Sequence, residues 1–333
     1  MIFGILIFMV FITPCAFAEK SVPSEVIFTV RNDFGQPVAN ASVEGGFLDL
    51  SQSGARDRFK GMTDTNGVYV AKGKAVIGVC AGFRSDGYYR TEIYQAIDSP
   101  CTQTNGHADL VLPITWDVMI PVLLKRIRSP IPMYIQNVEN INIRKRTGDK
   151  IGRVVTNSVA GYDLVRGDIV APYGRGRIAD CEIKYLMKII SKDDDALPVD
   201  CDTVFEACMT NLVDGICRGN PDGAENGRLG SACISDYNAP VSGYTNTISF
   251  YRKVRGTKAE SNDDRHYLYY FRIRTQTNGV GQVTNALYGK KYGQINGNFT
   301  YYLNPTPNDR NVEFDPKRNL FKNLGEFEKV HVP

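Results

Sequence analysis

The chain has 333 residues, of which 43% are hydrophobic and 23% are charged, and its formal net charge is +3. This length allows two domains, each with a core of its own. The composition is typical of a globular protein, and a charge so close to neutrality gives no reason to expect nucleic acid as a partner. The 31 Gly, 18 Tyr and 16 Phe residues favour strands and turns over helices.

The chain begins with an apolar leader. Residues 2–18 are almost entirely apolar and end in Ala16-Phe17-Ala18, a small-x-small pattern that predicts cleavage of a signal peptide (residues 1–18) between Ala18 and Glu19. Two alternatives stay open: an uncleaved N-terminal anchor, because the run is at the lower limit for spanning a bilayer, and lipid modification of Cys15. We therefore expect an exported protein that is periplasmic, on the cell surface or secreted.

Short strands and tight turns follow the leader. Residues 26–30 form a strand-forming run, residues 32–37 and 63–67 form turns rich in Asp, Asn and Gly, and residues 109–113 close the pattern. Such spacing of strands and turns predicts an antiparallel β-sandwich over residues 24–113.

The residues of these turns carry a family resemblance. The order V-x-N-D-x-x-G-x-P-V-x-x-A-x-V, then T-D-x-x-G-x-Y, then D-L-V-L-P resembles the carboxypeptidase regulatory-like domain. The matching positions are Asn32, Asp33, Gly35, Pro37, Val38, Ala41, Val43, Thr63, Asp64, Gly67 and Tyr69. The resemblance covers residues 24–113 and implies a transthyretin-like sandwich in which these residues build turns and core. The family accompanies exported peptidases, receptors and surface proteins, so it leaves the function open.

Residues 114–333 predict a larger β-rich domain of unknown function. Residues 133–143 and 266–274 read as strands, and Asn296-Gly297 predicts a hairpin within residues 292–303. Residues 184–191 are left open between helix and strand.

A helix is predicted over residues 203–216, because Val204, Ala207, Cys208 and Leu212 recur at helical spacing. The predicted fold class is therefore mainly β: an N-terminal transthyretin-like sandwich and a larger β-rich domain with a short helical, cysteine-containing insert. Residues 169–176 and 301–310 also resemble uncharacterised exported bacterial proteins, which implies no mechanism.

Charge is segregated along the second part. Residues 125–188 contain thirteen Lys and Arg against six Asp and Glu, whereas residues 192–236 contain three against ten. One interpretation is two solvated surfaces that partly face each other. The other is a basic face for an acidic partner, such as an anionic glycan or lipid head groups, with these cations: Lys125, Arg126, Arg128, Arg144, Lys145 and Arg146. Within the acidic insert, 191–240, the oxygen-rich residues 220–227 suggest either a surface loop or a calcium site.

Seven cysteines remain after cleavage of the leader. In an oxidising compartment we expect Cys80 to pair with Cys101, and two disulfides of undetermined connectivity among Cys201, Cys208, Cys217 and Cys233. Cys181 is the expected unpaired thiol, as a small buried residue. Zinc is disfavoured because the chain has no C-x-x-C pair and only three histidines.

No catalytic signature is found. The chain has no G-x-S-x-G motif, and His107, His266 and His331 lack the spacing of a zinc peptidase. No catalytic residue, cofactor or metal site is predicted. We interpret the chain as an exported cell-envelope protein with a non-catalytic role in binding, adhesion or assembly, whose partner is an envelope glycan, lipid or protein. The alternative is an envelope hydrolase of glycan or peptide with its active site in residues 114–333, which a cleft with two carboxylates would favour.

Overall fold

A computed structural model describes residues 21–48, 55–75, 77–97, 101–104, 107–110, 115–138, 157–189, 200–219, 235–256, 258–262, 268–292 and 299–330. The described chain consists of β-strands, turns and loops and contains no helix. Accordingly, none of these ranges provides an apolar helix long enough to cross a bilayer. The chain divides into two compact units, the first extending through Arg126 and the second beginning at Ile127.

The first unit contains two main sheets and a hairpin. One sheet has the order β4-β1-β9, the other has the order β3-β2-β5-β6, and β7 pairs with β8. The strands are β1 (Val22–Asn32), β2 (Ser42–Leu48), β3 (Ala55–Met62), β4 (Val68–Ala75), β5 (Gly78–Arg84), β6 (Thr91–Ala96), β7 (Cys101–Thr104), β8 (His107–Leu110) and β9 (Trp116–Leu124).

Strand β1 shows how the first unit is built. Its residues alternate between buried and partly or fully exposed positions, as expected of a strand covered on one face, and Val26, Phe28 and Val30 are fully buried. These side chains share one core with Val43 and Phe83 of the other sheet. The strand predicted over residues 26–30 is confirmed.

The boundary of the first unit differs from the sequence prediction of residue 113. Strand β9 pairs in parallel with β1, with Val26 opposite Val118 and Phe28 opposite Ile120. Ile120 and Val122 are buried in the same core. The unit therefore includes β9 and ends at Arg126.

The second unit contains two six-stranded sheets, with the orders β15-β18-β19-β20-β10-β21 and β12-β11-β13-β14-β16-β17. We call them the aromatic sheet and the charged sheet. The strands are β10 (Ile131–Val138), β11 (Asn157–Asp163), β12 (Asp168–Ile169), β13 (Cys181–Ile189), β14 (Cys201–Met209), β15 (Gly215–Arg218), β16 (Thr247–Arg255), β17 (Lys258–Ser261), β18 (Leu268–Thr277), β19 (Val283–Tyr292), β20 (Phe299–Leu303) and β21 (Phe314–Asn319).

The aromatic sheet is buried on both faces. In β18, Tyr269, Phe271 and Ile273 pack into the core shared with the charged sheet, whereas Leu268 and Tyr270 pack into a separate cluster on the opposite face. Burial on both faces explains why this strand reads as a continuous aromatic run. The strand predicted over residues 266–274 is confirmed for its described part.

The predicted helix over residues 203–216 is wrong. Residues 201–209 form strand β14, and β15 begins at Gly215. The buried residues of β14 all have odd numbers, as expected when one face of a strand is buried: Cys201, Thr203, Ala207 and Met209. The helical spacing of the apolar residues is therefore coincidental. Residues 184–189, left open between helix and strand, belong to β13.

The predicted hairpin within residues 292–303 is confirmed in its strands. β19 and β20 pair antiparallel, with Tyr292 opposite Thr300. The Asn296-Gly297 turn lies outside the described residues.

Candidate functional site

The loops at one end of the second unit are organised by buried aspartates. Asp163, the last residue of β11, is 1% exposed. Its Oδ1 accepts hydrogen bonds from the backbone N–H groups of Val165 (3.1 Å) and Arg166 (3.0 Å), and its Oδ2 from those of Arg177 (2.9 Å) and Ile178 (3.2 Å). One carboxylate therefore fixes both the turn after β11 and the loop before β13.

Arg274 joins this aspartate to a second one. Its Nη2 donates to Asp163 Oδ1 (2.9 Å) and to Asp180 Oδ2 (3.2 Å), and its Nε donates to Asp180 Oδ1 (2.9 Å). Asp180 Oδ2 also accepts the N–H of Leu164 (2.9 Å). A single guanidinium therefore links strand β18 to both loops.

The backbone of Arg274 is itself held in an unusual conformation. Its φ is +53°, in the left-handed region that side-chain-bearing residues seldom adopt, at a register shift of β18 between Ile273 and Gln276. Asp214, from the turn between β14 and β15, accepts the N–H groups of Arg274 (2.9 Å) and Thr275 (2.8 Å). The bulge is thus stabilised from outside its own strand, as such conformations require.

The two carboxylates bound to Arg274 differ in their pKa. Burial favours the neutral form of Asp163, but the hydrogen bonds from Arg177, Arg166 and Ile178 and the charge of Arg274 outweigh burial and lower its pKa. For Asp180 burial dominates, and its pKa is raised despite the hydrogen bond and charge of Arg274. Asp163 is therefore the firmly ionised partner.

A fourth aspartate holds the next part of the loop. Asp168 Oδ2 accepts both the N–H (3.0 Å) and the Nε–H (3.3 Å) of Arg175. The flanking glycines allow the chain to pass this closely, because a Cβ at Gly174 would collide with the carbonyl of Ile169 and one at Gly176 would lie 2.8 Å from the carbonyl of Asp168. The two-glycine turn is a close-packed loop.

The same loops expose basic and apolar side chains. Arg166, Arg175 and Arg177 are exposed, while the aspartates that hold their backbone are buried. Four apolar side chains from the loops between residues 170 and 214 are also exposed: Tyr173, Ile178, Leu212 and Val213. Hydrogen bonds join their segments, since Thr210 N–H donates to the Asp180 carbonyl and Arg272 Nη2 to the Val213 carbonyl. We call these seven residues the loop surface.

A cavity of about 30 Å³ lies between the two sheets, lined by apolar side chains together with Cys181 and Lys291. This volume holds about one or two water molecules and no substrate. Burial raises the pKa of the Cys181 thiol to about 12, so the thiol is protonated and behaves as an apolar core residue. The predicted core position of Cys181 is confirmed.

The cysteines predicted to form disulfides have free thiols wherever their side chains are described. These are Cys80, Cys201, Cys208 and Cys217. Cys201 and Cys208 are seven residues apart on one strand, which is too far for a bond between them, and Cys217 belongs to the other sheet. The pairing of Cys80 with Cys101 therefore has no support here, and the Cys101 side chain and Cys233 lie outside the described residues.

Six cations were predicted to form one basic face for an acidic partner. Of these, one is buried, two lie near aromatic rings and three lie outside the described residues. Lys125 is buried. The Arg126 guanidinium lies 5.2 Å from the centre of the Phe34 ring, and that of Arg128 lies 3.8 Å from the centre of the Tyr237 ring. Arg144, Lys145 and Arg146 lie outside the described residues, as do Ala18, Glu19, His266, His331 and residues 220–227.

Sequence reasoning missed the loop surface. Its cations lie in the basic segment 125–188, but none was among the six residues singled out. The alternation Arg175-Gly176-Arg177 was a usable signal, because a buried glycine between two arginines places both side chains on the exposed side of one turn.

No family model matches the sequence, and no curated protein matches it. Solved structures of three dioxygenases align with about a third of the chain. They are chlorocatechol 1,2-dioxygenase from Pseudomonas putida (15% identity, 32% of this chain, 61% of that chain, TM-score 0.23), hydroxyquinol 1,2-dioxygenase from Pseudomonas putida DLL-E4 (11%, 33%, 58%, 0.24) and catechol 1,2 dioxygenase from Acinetobacter radioresistens (15%, 33%, 54%, 0.25). The chain spans somewhat over half the length of these proteins, and likeness at this level assigns no function.

Proposed function

We propose that the chain is an exported cell-envelope protein that acts by binding, in adhesion or assembly, and that the loop surface is its binding face. One observation carries this proposal. The loop surface exposes arginine and apolar side chains, whereas the aspartates beneath it are buried and hold the loops in place together with Arg274. Arginine and aromatic residues are enriched where proteins bind partners, exposed apolar patches mark interaction sites, and fixed loops reduce the ordering cost of binding.

The charge of the loop surface favours an acidic partner. Arg166, Arg175 and Arg177 are exposed. Asp163 is occupied by backbone N–H groups and Arg274, and Asp168 by the N–H and Nε–H groups of Arg175, which leaves Arg166 and Arg177 as the cations not used by these aspartates. An anionic glycan or anionic lipid head group would complement these cations, while Ile178 and Leu212 would contact apolar parts of the same partner.

The network also argues against a hydrolytic role for this site. A glycosidase needs two carboxylates that face a substrate and exchange protons with it. Asp163 and Asp180 are buried, and their oxygens accept hydrogen bonds from Arg274 and backbone N–H groups. They therefore serve to position loops.

For the first unit we propose a transthyretin-like β-sandwich of the carboxypeptidase regulatory-like type. Support comes from its two sheets, which share one core, and from the turn residues that carry the resemblance. Asn32 and Asp64 each accept two backbone N–H groups within their own turns. Such a unit would serve as an accessory module.

The binding proposal is tested with two anionic probes, heparin and vesicles that contain an anionic phospholipid. We expect retention at low salt that falls steeply as salt is added. The double variant Arg166→Gln/Arg177→Gln should lose retention while keeping the fold, because only the backbone N–H groups of these residues bind Asp163.

The matched control is Arg252→Gln/Lys258→Gln, which removes the same charge from exposed positions of the charged sheet. Equal loss of retention in both variants would mean that net charge alone causes binding. Absence of retention at low salt would contradict an acidic partner.

A further inference from the structure

One buried carboxylate brings exposed cations and an exposed aliphatic side chain together. Asp163 binds the backbone N–H of Arg166 through Oδ1 and those of Arg177 and Ile178 through Oδ2. The side chains of these three residues are exposed, whereas Asp163 is 1% exposed. Two cations and one aliphatic group therefore start from backbone positions that contact a single fixed group.

A second aliphatic group lies on the adjacent chain segment. The N–H of Thr210 donates to the carbonyl of Asp180 at 3.2 Å, which extends the pairing of β13 with β14 by one residue on each strand. Ile178 lies two residues before this pair and Leu212 two residues after it. Ile178 is 51% exposed and Leu212 is 86% exposed. Aliphatic side chains of two neighbouring segments are thus exposed at one end of the charged sheet.

The charges of these segments are sorted by depth. Residues 163–180 and 210–214 contain three arginines, all exposed, and four aspartates, all buried. The arginines are Arg166, Arg175 and Arg177, and the aspartates are Asp163, Asp168, Asp180 and Asp214. The buried carboxylates accept hydrogen bonds from arginine side chains and from backbone N–H groups. A partner that approaches the loops therefore meets cations and aliphatic groups before it meets carboxylates.

We propose that the loop surface docks on a bilayer that contains anionic phospholipid. Arg166 and Arg177 contact the head groups, and Ile178 and Leu212 enter the boundary between head groups and acyl chains. The inference rests on the proposed function, because it names the partner of the same binding face. Attachment of this kind depends jointly on buried apolar area and on attraction between cations and anionic lipid, and the loop surface supplies both.

The aliphatic side chains favour a bilayer over a glycan or a protein. Removal of an aliphatic group from water is favourable in apolar surroundings, and an anionic glycan, with its hydroxyl and charged groups, offers few. Protein partners are bound chiefly through side chains that fit into well-packed pockets, whereas Leu212 is almost fully exposed on a turn. The aspartates hold the loops before binding, so insertion costs little ordering.

The test measures insertion at one residue. Trp116 is the single tryptophan of the chain, so Trp116→Phe gives a background without tryptophan, into which Leu212→Trp is introduced. The full chain is mixed with vesicles that contain anionic phospholipid and lipids brominated on their acyl chains. We expect a blue shift of the emission and quenching by bromine, because an inserted side chain contacts acyl chains. Attraction to head groups alone produces no such quenching.

The matched control is Leu186→Trp in the same background. Leu186 is an exposed leucine of the same unit, 41% exposed, but it lies within β13 and away from the loops. This variant should show neither the blue shift nor the quenching. Because the signal is local to the tryptophan, contact of another part of the chain with the vesicle does not imitate it.

Binding to vesicles without bromine gives the strength of each contact. Replacement of Arg166 or Arg177 by Gln should weaken binding about fivefold for each residue, the factor that corresponds to one cation at an anionic surface. Leu212→Ser should weaken it about tenfold through loss of apolar burial. Melting curves of all variants report whether the fold is kept.

The outcomes separate this inference from the proposed function. Vesicle binding without quenching in the Leu212→Trp variant, or with equal quenching in the Leu186→Trp variant, would overturn insertion of the loops and leave the binding face in place. Retention on heparin with none on vesicles would also overturn the inference and would identify a glycan as the partner. Absence of retention on both probes would contradict the proposed function itself.

Discussion

The two units hold their loops by different means. In the first unit, Asn32 and Asp64 bind N–H groups no more than four residues away. In the second unit, Arg274 reaches Asp163 across 111 residues and Asp180 across 94. The hydrogen bonds in the first unit are local and partly exposed, and they can be predicted from the sequence. Those in the second unit exist only after the sheets have formed, and they place ionised groups in the interior, where loss of one partner is most costly.

Removal of Arg274 should have the largest effect. Arg274→Ala leaves Asp163 and Asp180 buried without their shared cation, and we expect a loss of about 3 kcal/mol of unfolding free energy, near the lower end for a broken buried pair because the arginine side chain is 29% exposed. Denaturant unfolding measures this change. Hydrogen exchange should show the added opening in residues 157–180 and 210–214.

Arg274→Lys is the control for charge. It retains a cation but cannot donate to both aspartates through a planar fork, so it should recover only part of the lost stability. Full recovery would mean that charge alone, without the bridging geometry, holds the loops.

Asp163→Asn should have the next largest effect. An asparagine offers one oxygen in place of two, so its NH₂ group would face backbone N–H donors on one side, and we expect a loss of about 2 kcal/mol at neutral pH. Because the pKa of Asp163 in the folded chain lies below its ordinary value of 3.8, its stabilisation is complete above that pH and is lost as the pH falls through the folded pKa.

The difference in stability between the unmodified protein and Asp163→Asn should therefore be constant near neutrality and shrink in acid. Urea titrations at a series of pH values from neutral to below 3.8 test this sign. A difference that grew on acidification would show that the pKa of Asp163 is raised in the folded state.

The contrast also explains what the sequence could reveal. The turns at Asn32 and Asp64 were predicted because their donors and acceptors are neighbours in the chain. Strand β18 was predicted because burial on both faces leaves an unbroken aromatic run. The alternation of buried and half-buried residues in 201–209 could not be recognised from the sequence. Val204 is apolar although it lies on the half-buried outer face of the sheet, so together with Ala207 and Cys208 it gives the spacing of a helix.

The hydrogen bonds between Arg274 and the buried aspartates could not be predicted from the sequence. Nothing in the sequence around Arg274 distinguishes it from the other arginines of an aromatic strand. Its partners are far apart in the chain, since Asp163 ends β11, Asp180 precedes β13 and Asp214 lies between β14 and β15. Long-range pairing of buried charge is decided by tertiary structure, so only the excess of basic residues in the segment 125–188 pointed to this region.

A turn of the first unit should respond more weakly. Asp64 Oδ1 accepts the N–H groups of Asn66 (2.9 Å) and Val68 (2.8 Å) at an exposed position. Asp64→Ala should cost about 1 kcal/mol, because water can replace part of these bonds. Asp64→Asn keeps an acceptor oxygen and should cost less. Thermal unfolding of both variants tests the comparison, and a loss as large as that of Arg274→Ala would contradict the distinction between the units.

The smallest effect on stability is expected at the loop surface itself. Leu212 is 86% exposed, whereas its neighbour Asp214 is buried and holds the backbone of Arg274 and Thr275. Leu212→Ser removes an apolar side chain that contributes little to the core, so the unfolding free energy should stay within about 0.5 kcal/mol of that of the unmodified protein.

If the loop surface binds its partner as proposed, the same change should weaken retention on anionic vesicles while leaving the salt dependence intact, because it removes an apolar contact and no charge. Val280→Ser, at the equally exposed tip between β18 and β19, is the matched control and should change neither property. Marked destabilisation by Leu212→Ser would show that this turn depends on its own apolar contacts rather than on the aspartate and arginine beneath it.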